Sequence, residues 1–189
     1  MNIEIISGSP RTNSVTKRVA LNLEKWLEQT TDHEIGLINL QDWNLPPVQT
    51  VFQSVEKTPQ EFKPLSERMF NADAFILVSP EYNGGYSPAM KNLLDHFPKQ
   101  HHKPFGIVTA SPGAMGGIRA SQQMQLLIML YLALHRPICW SFRRWIKNSQ
   151  PTEHCWMKVF KTIFTTLSLN SCGWQKIFTK KEFWQKQFK

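Results

Sequence analysis

Three short segments hold most of the residues able to do chemistry. The first, SGSPRTNSVTK at 7–17, sets Ser9, Thr12, Ser14 and Thr16 around Arg11. Hydroxyl donors and a forked guanidinium at the start of a helix make a cup for a phosphate. The first amides of a helix have no intrahelical partner and lie at the positive end of its dipole. The pattern is neither G-x-G-x-x-G nor G-x-x-x-x-G-K-[ST], so it indicates neither a Rossmann dinucleotide site nor a P-loop. A capped helix preceded by a turn would use the same residue types. The second segment, SPEYNGGYSPAMKNLLDHF at 79–97, carries an acid, two tyrosines, an asparagine and the pair Gly84 and Gly85 ahead of Pro88. A plain strand-to-helix connection needs only about 2–6 residues and no such permissive backbone. The third, ASPGAMGGIRA at 110–120, has Gly113, Gly116 and Gly117, which let a backbone come close to a flat ligand. Phosphate donors in one loop, with flexible backbone and an aromatic in two others, suit a phosphorylated planar cofactor.

Other constellations offer less. His96, His101 and His102 cluster in HFPKQHH, but nothing nearby advertises the further ligands and geometry of a metal centre, and the stretch reads as a solvated helix-to-strand loop. Cys139, His154 and Cys155 lack zinc spacing. No Ser/His/Asp or Cys/His triad follows from placement, and Glu81 and Asp95 make a poor carboxylate pair because Asp95 falls inside a helix.

The elements that must position these loops are legible from periodicity. IEIIS at 3–7 reads as a central strand. Val15, Val19, Leu23, Trp26 and Leu27 repeat at helical spacing. HEIGLINL at 33–40 is the second strand, and residues 41–60, with Pro46, Pro47 and Pro59, are a long loop. Residues 60–72 read as a helix with Pro64 in its first turn. DAFILVS is a strand whose unbroken apolar run suits a sheet covered on both faces. Pro88 suits the first position of the next helix. PFGIVTAS at 104–111 is the fourth strand, and a helix follows over roughly 118–133. Strand and helix alternate four times, which predicts an α/β doubly wound parallel sheet in three layers. Ligands of such sheets bind beyond the carboxyl ends of the strands, where all three loops fall.

Length and composition narrow the class. A chain of 189 residues favours one domain, and 41% apolar residues supply a core. The longest apolar run, LLIMLYLAL at 126–134, is about half a membrane span. The N-terminus shows neither the basic region nor the long apolar region of a signal peptide. Three cysteines without C-x-x-C spacing point to a reducing, cytoplasmic setting.

The segments GSPRTNS, SPEYNGGYSPAMKNLLD and SPGAMGGIRA, in this order and each after a strand, resemble the signature segments of the NAD(P)H-dependent FMN reductase family. This is a flavodoxin-like group that includes quinone, azo-dye and chromate reductases. The resemblance covers about residues 1–134, and Pro80-Glu81-Tyr82-Asn83 followed by Pro88 and Lys91-Asn92 is its most specific part. It implies strand order 2-1-3-4-5 and FMN as cofactor, with NADPH or NADH as co-substrate. Ser9, Arg11, Ser14 and Thr16 would hold the FMN phosphate. Pro80, Glu81, Tyr82, Asn83 and Gly84 would line the ribityl chain and ring, mostly through backbone groups. Ser111, Gly113, Gly116 and Gly117 would contact the pyrimidine edge. The implied reaction moves a hydride from NAD(P)H to FMN and on to a quinone, azo compound, metal oxyanion or free flavin. It is centred on the flavin, with no catalytic side chain and no metal. Arg119 would face the nicotinamide phosphate, or else be an exposed helix-start residue or a subunit contact. Thr16 stands where the family often has asparagine. The family also implies a homodimer or homotetramer.

A compositional break lies near Leu134. Residues 1–134 carry 11 Lys and Arg against 12 Asp and Glu, whereas residues 135–189 carry 11 against 2, with all three cysteines and five of the seven tryptophans. With the resemblance, this implies an FMN-binding core at 1–134 followed by a basic segment at 135–189. That segment offers RPICWSF at 136–142 as a fifth strand and residues 152–167 as a last helix. A change of reading frame near codons 135–150 would also alter charge, cysteine and tryptophan content together. Two further readings follow: a flavodoxin-type electron carrier, or an inactive family member whose basic tail engages nucleic acid or membrane.

Overall fold

The computed structural model describes residues 1–131 and, as backbone, the strand at 138–142. The expected last helix at 152–167 and the basic stretch after it lie outside the described residues.

The five strands are β1 (Asn2–Ser7), β2 (Glu34–Asn39), β3 (Ala74–Ser79), β4 (Phe105–Ala110) and β5 (Ile138–Phe142). The four helices are α1 (Val15–Thr30), α2 (Lys63–Asn71), α3 (Pro88–Asp95) and α4 (Ile118–Leu130). All strand pairs are parallel and the order is β2-β1-β3-β4-β5, as expected for a flavodoxin-like sheet. The fifth strand starts two residues later than RPICWSF and pairs Gly106 with Ile138 through to Ala110 with Phe142.

Each element follows from its residues. Every residue of AFILVS in β3 is buried, as a central strand covered on both faces requires. The edge strand β2 is exposed or half-buried over its first four residues. α1 buries the stripe Thr16, Val19, Ala20, Leu23 and Leu27, and Ser14 caps it by accepting a hydrogen bond from the Lys17 amide at 3.1 Å. The expected helix over 60–72 divides into a 3-10 turn at Gln60–Phe62 and then α2, with Pro64 in the first turn, where its missing amide costs nothing. α4 ends at Leu130, short of the expected 133, and the Tyr131 amide closes it on the Ile128 carbonyl at 3.0 Å.

The core gathers Ile6, Ile38, Phe75, Leu77 and Ile107 from the sheet under Leu65, Met69, Met90, Leu93, Met124 and Ile128 from α2, α3 and α4. One charge enters the sheet. Glu4, in the middle of β1 and 8% exposed, takes two hydrogen bonds from Arg68 of α2, at 2.9 and 2.5 Å, while a third Arg68 nitrogen donates to the Leu37 carbonyl at 3.0 Å. Gly36 makes this possible, since a Cβ there would lie 2.6 Å from a Glu4 oxygen and 2.7 Å from an Arg68 nitrogen.

The histidine cluster corrects one expectation. His96 is not solvated: it is 2% exposed, its Nδ1 lies 2.7 Å from the Asn92 carbonyl, and its ring packs 4.9 Å from that of Phe52. His101 turns back instead to the Tyr131 carbonyl, 3.1 Å away. Among the described residues no three His, Cys, Asp or Glu side chains gather as a metal site, and no helix among them is long and apolar enough to cross a membrane.

Candidate functional site

The loops after β1, β3 and β4 emerge side by side from the same edge of the sheet, because those strands are adjacent in the order β1-β3-β4. The β1–β3 boundary is the switch point of the fold, since β2 lies on the far side of β1.

The first loop is tied to the second at its base. The Gly8 amide donates to Val78 O at 2.8 Å, and the Ser87 hydroxyl donates to the Gly8 carbonyl. Ser87 also caps α3 by accepting from the Met90 amide at 3.1 Å. The Ser87 amide donates at 3.1 Å to the Ser79 hydroxyl, which donates in turn to the Pro80 carbonyl at 2.9 Å. The roles of Ser79 and Ser87 were not anticipated, although a serine ahead of proline at a helix start is a capping signal. Higher in the loop, Ser9 is 2% exposed and Arg11 is exposed. Ser14 keeps its hydroxyl proton to donate while capping α1. Thr16 faces the buried side of α1.

The second loop turns tightly. Tyr82 and Gly85 exchange both backbone hydrogen bonds, at 2.9 and 3.0 Å, around Asn83 (φ 50°) and Gly84 (φ 81°). Positive φ at both central positions makes a two-residue hairpin of the type that Asn-Gly favours. That dipeptide signal is in the sequence and predicts this turn. Tyr82 and Glu81 then reach in opposite directions. The Arg11 guanidinium lies 4.7 Å above the Tyr82 ring, joining loops one and two through a cation–π contact. Glu81 reaches the start of α4, accepting from the Arg119 amide at 3.1 Å, the Ala120 amide at 3.4 Å and the Arg119 guanidinium at 3.3 Å. The carboxylate is thus engaged in loop-to-helix bonding. Burial, and secondarily the Asp95 carboxylate, push Tyr86 up to about 12.

The third loop closes over β4. Gly116 and Gly117 both have positive φ, 60° and 90°, and a Cβ on Gly117 would meet the Thr109 Cβ at 2.8 Å. The Thr109 hydroxyl donates to the Gly116 carbonyl at 2.9 Å. Ser111 is 8% exposed, and its hydroxyl accepts from the Gly113 amide at 3.4 Å. The structure thus links Arg11 to Tyr82, and Glu81 to the start of α4, just after the glycine loop. Asn92, by contrast, supports a different loop: its amide donates to the carbonyls of Leu45 and Pro46 at 3.1 and 2.9 Å. Lys91 pairs with Asp95 along α3.

The donor set suits FMN. Ser9, Arg11 and the α1 N-terminus offer phosphate donors, and the buried hydroxyls of Ser7 and Tyr82 have no hydrogen-bond partner among the described residues.

Comparison with known proteins addresses the family and the fold. The family model described as NADPH-dependent FMN reductase matches residues 1–143, which extends past the compositional break and includes β5. An FMN-dependent NADPH-azoreductase of Staphylococcus aureus (strain USA300) is 32% identical over 134 residues, 69% of each chain. Among solved structures, FerB, a flavoenzyme NAD(P)H:(acceptor) oxidoreductase from Paracoccus denitrificans, has a TM-score of 0.63 at 18% identity, covering 87% of this chain and 93% of its own. A flavodoxin from Pseudomonas aeruginosa has a TM-score of 0.56 at 16% identity, covering 88% and 97%. The two structures share the fold; the match over residues 1–143 and the 32% identity carry the assignment, and the chain belongs to the NADPH-dependent FMN reductase family.

Proposed function

We propose that this chain is an NAD(P)H-dependent FMN oxidoreductase that passes an electron pair from reduced nicotinamide to a small-molecule acceptor: a quinone, azo compound, metal oxyanion or free flavin. The observation that carries this reading is the joining of three loops at one sheet edge, through Arg11 on Tyr82 and Glu81 on α4. Bound FMN supplies the redox chemistry, accepting and releasing the electron pair. The chain supplies the rest. Ser9, Arg11 and Ser14, with the first amides of α1, would hold the phosphate. Pro80 to Gly84 present backbone to the ribityl chain and ring. Ser111, Gly113, Gly116 and Gly117 lie at the pyrimidine edge, where amide donors favour developing negative charge. Arg119, whose side chain is 63% exposed and pairs with Glu81, would face the nicotinamide phosphate. Orientation and donor placement suffice, and no side chain is asked to transfer a proton. The setting is cytoplasmic and the assembly a homodimer or homotetramer.

The test is NADPH oxidation by the purified chain supplied with FMN and a benzoquinone. Steady consumption of NADPH that requires both additions supports an enzyme. Flavin binding without direct NADPH oxidation would indicate an electron carrier instead.

A further inference from the structure

Glu81 is the best-connected side chain of the second loop, and nothing in a backbone platform for a flat ring requires its charge. A hairpin of two central residues is marginal alone and must be held by neighbours. Here α4 holds it. Glu81 accepts two amide hydrogen bonds and one guanidinium hydrogen bond from the first residues of α4, at 3.1 to 3.4 Å. The Arg119 stem lies against the turn, its Cδ 3.4 Å from where a Cβ on Gly84 would stand. Gln123, one helical turn on, lies 2.9 Å from the corresponding point at Gly85. The hairpin therefore sits on a helix-terminal surface made by Arg119 and Gln123, with Glu81 as its fastening. The Glu81 side chain is 13% exposed, so water screens its charge weakly.

Charge placement adds a consequence. An α-helix N-terminus carries about half a positive charge, and Arg119 adds a full one. Glu81 sets a negative charge directly on both. We propose that Glu81 is a positioning residue of the flavin site. It fastens the 82–85 hairpin to α4, and its charge offsets the positive end of α4 and Arg119, so that the site does not over-stabilise the electron-rich reduced flavin. This inference rests on the FMN reading of the three loops.

Two substitutions separate geometry from charge. Glu81→Gln keeps an oxygen acceptor for the α4 amides and removes the charge; Glu81→Ala removes both. Oxidised FMN is titrated into the full-length apoprotein, and the flavin potential is measured by equilibration with a reference dye. Glu81→Gln is expected to bind oxidised FMN within about threefold of the parent, yet to favour reduced over oxidised FMN about tenfold more. That shift corresponds to about 30 mV for a two-electron couple. Glu81→Ala is expected to lose about tenfold or more in affinity for oxidised FMN. Parent-like affinity in Glu81→Ala, or an unchanged potential in Glu81→Gln, overturns the proposal. A helix cap with no bearing on the flavin would lower thermal stability and leave the potential where it was. Amide exchange in the flavin-free protein provides an independent arm. Arg119 and Ala120 amides should exchange more slowly in the parent than in Glu81→Ala, and equal rates would remove the fastening. If the parent takes up no FMN, the flavin reading fails, while the exchange comparison still decides whether Glu81 holds the hairpin.

Discussion

Arg11 has one partner among the described residues and a second in the proposed complex. It lies over the Tyr82 ring at 4.7 Å, where the cation–π attraction at an exposed site is worth about 0.5–1 kcal/mol. A phosphate offers more, since hydrogen bonds between charged groups contribute about 1.5–3 kcal/mol. In the proposed site the ring contact would therefore not compete strongly with a phosphate for the guanidinium. Arg11→Ala should weaken FMN binding by about 1.5–3 kcal/mol with little change in unfolding midpoint, because Arg11 is exposed. Fluorescence titration of the apoprotein checks this, and an unaltered dissociation constant would remove Arg11 from the phosphate site. The residue types around it are readable in the sequence: hydroxyls and an arginine before a helix suit an anion cup or a capped turn alike. The burial of Thr16 is not, because which helix face turns inward depends on the sheet beneath it.

At the scale of elements, the third loop stands or falls with Gly117. Its φ of 90° strains any residue with a side chain, and a Cβ would overlap the Thr109 Cβ at 2.8 Å, an atom fixed directly to β4. Gly117→Ala should cost about 2–3 kcal/mol from backbone strain and overlap together, read by urea unfolding. A cost below about 0.5 kcal/mol would mean that the loop shifts freely and does not present a fixed backbone. The five strands, the four described helices and the three loops could be placed from apolar periodicity with glycine and proline turn signals, because local sequence specifies local structure. The Asn83-Gly84 turn carries an equally local signal. What could not be read were the contacts spanning long separations, such as Glu81 with Arg119 and Glu4 with Arg68. Each requires two elements to be docked before the partners can be named. His96 shows the same limit: three histidines in seven residues look alike in sequence, and packing against Phe52 singles out one.

For the molecule as a whole, one source of stability lies apart from the three loops. The Glu4–Arg68 pair joins β1, β2 and α2 away from the three loops. Arg68→Ala would leave Glu4 buried and unpaired in mid-strand, at a cost of about 1.5–3 kcal/mol to the folded state. FMN affinity measured below the unfolding transition should be unchanged, and a large loss would show that the two regions are coupled. The family match reaches residue 143 and β5 pairs with β4, so the charge break near Leu134 does not mark the end of the sheet. The central claim is that three loops at the carboxyl edge of this sheet hold an FMN that NADPH reduces. The absorption spectrum of the purified full-length protein, supplied with FMN, freed of unbound flavin and recorded anaerobically before and after NADPH, tests it most directly. A bound flavin spectrum that bleaches on adding NADPH is the predicted result; a colourless protein that retains no FMN, or a bound flavin that NADPH leaves oxidised, would contradict it.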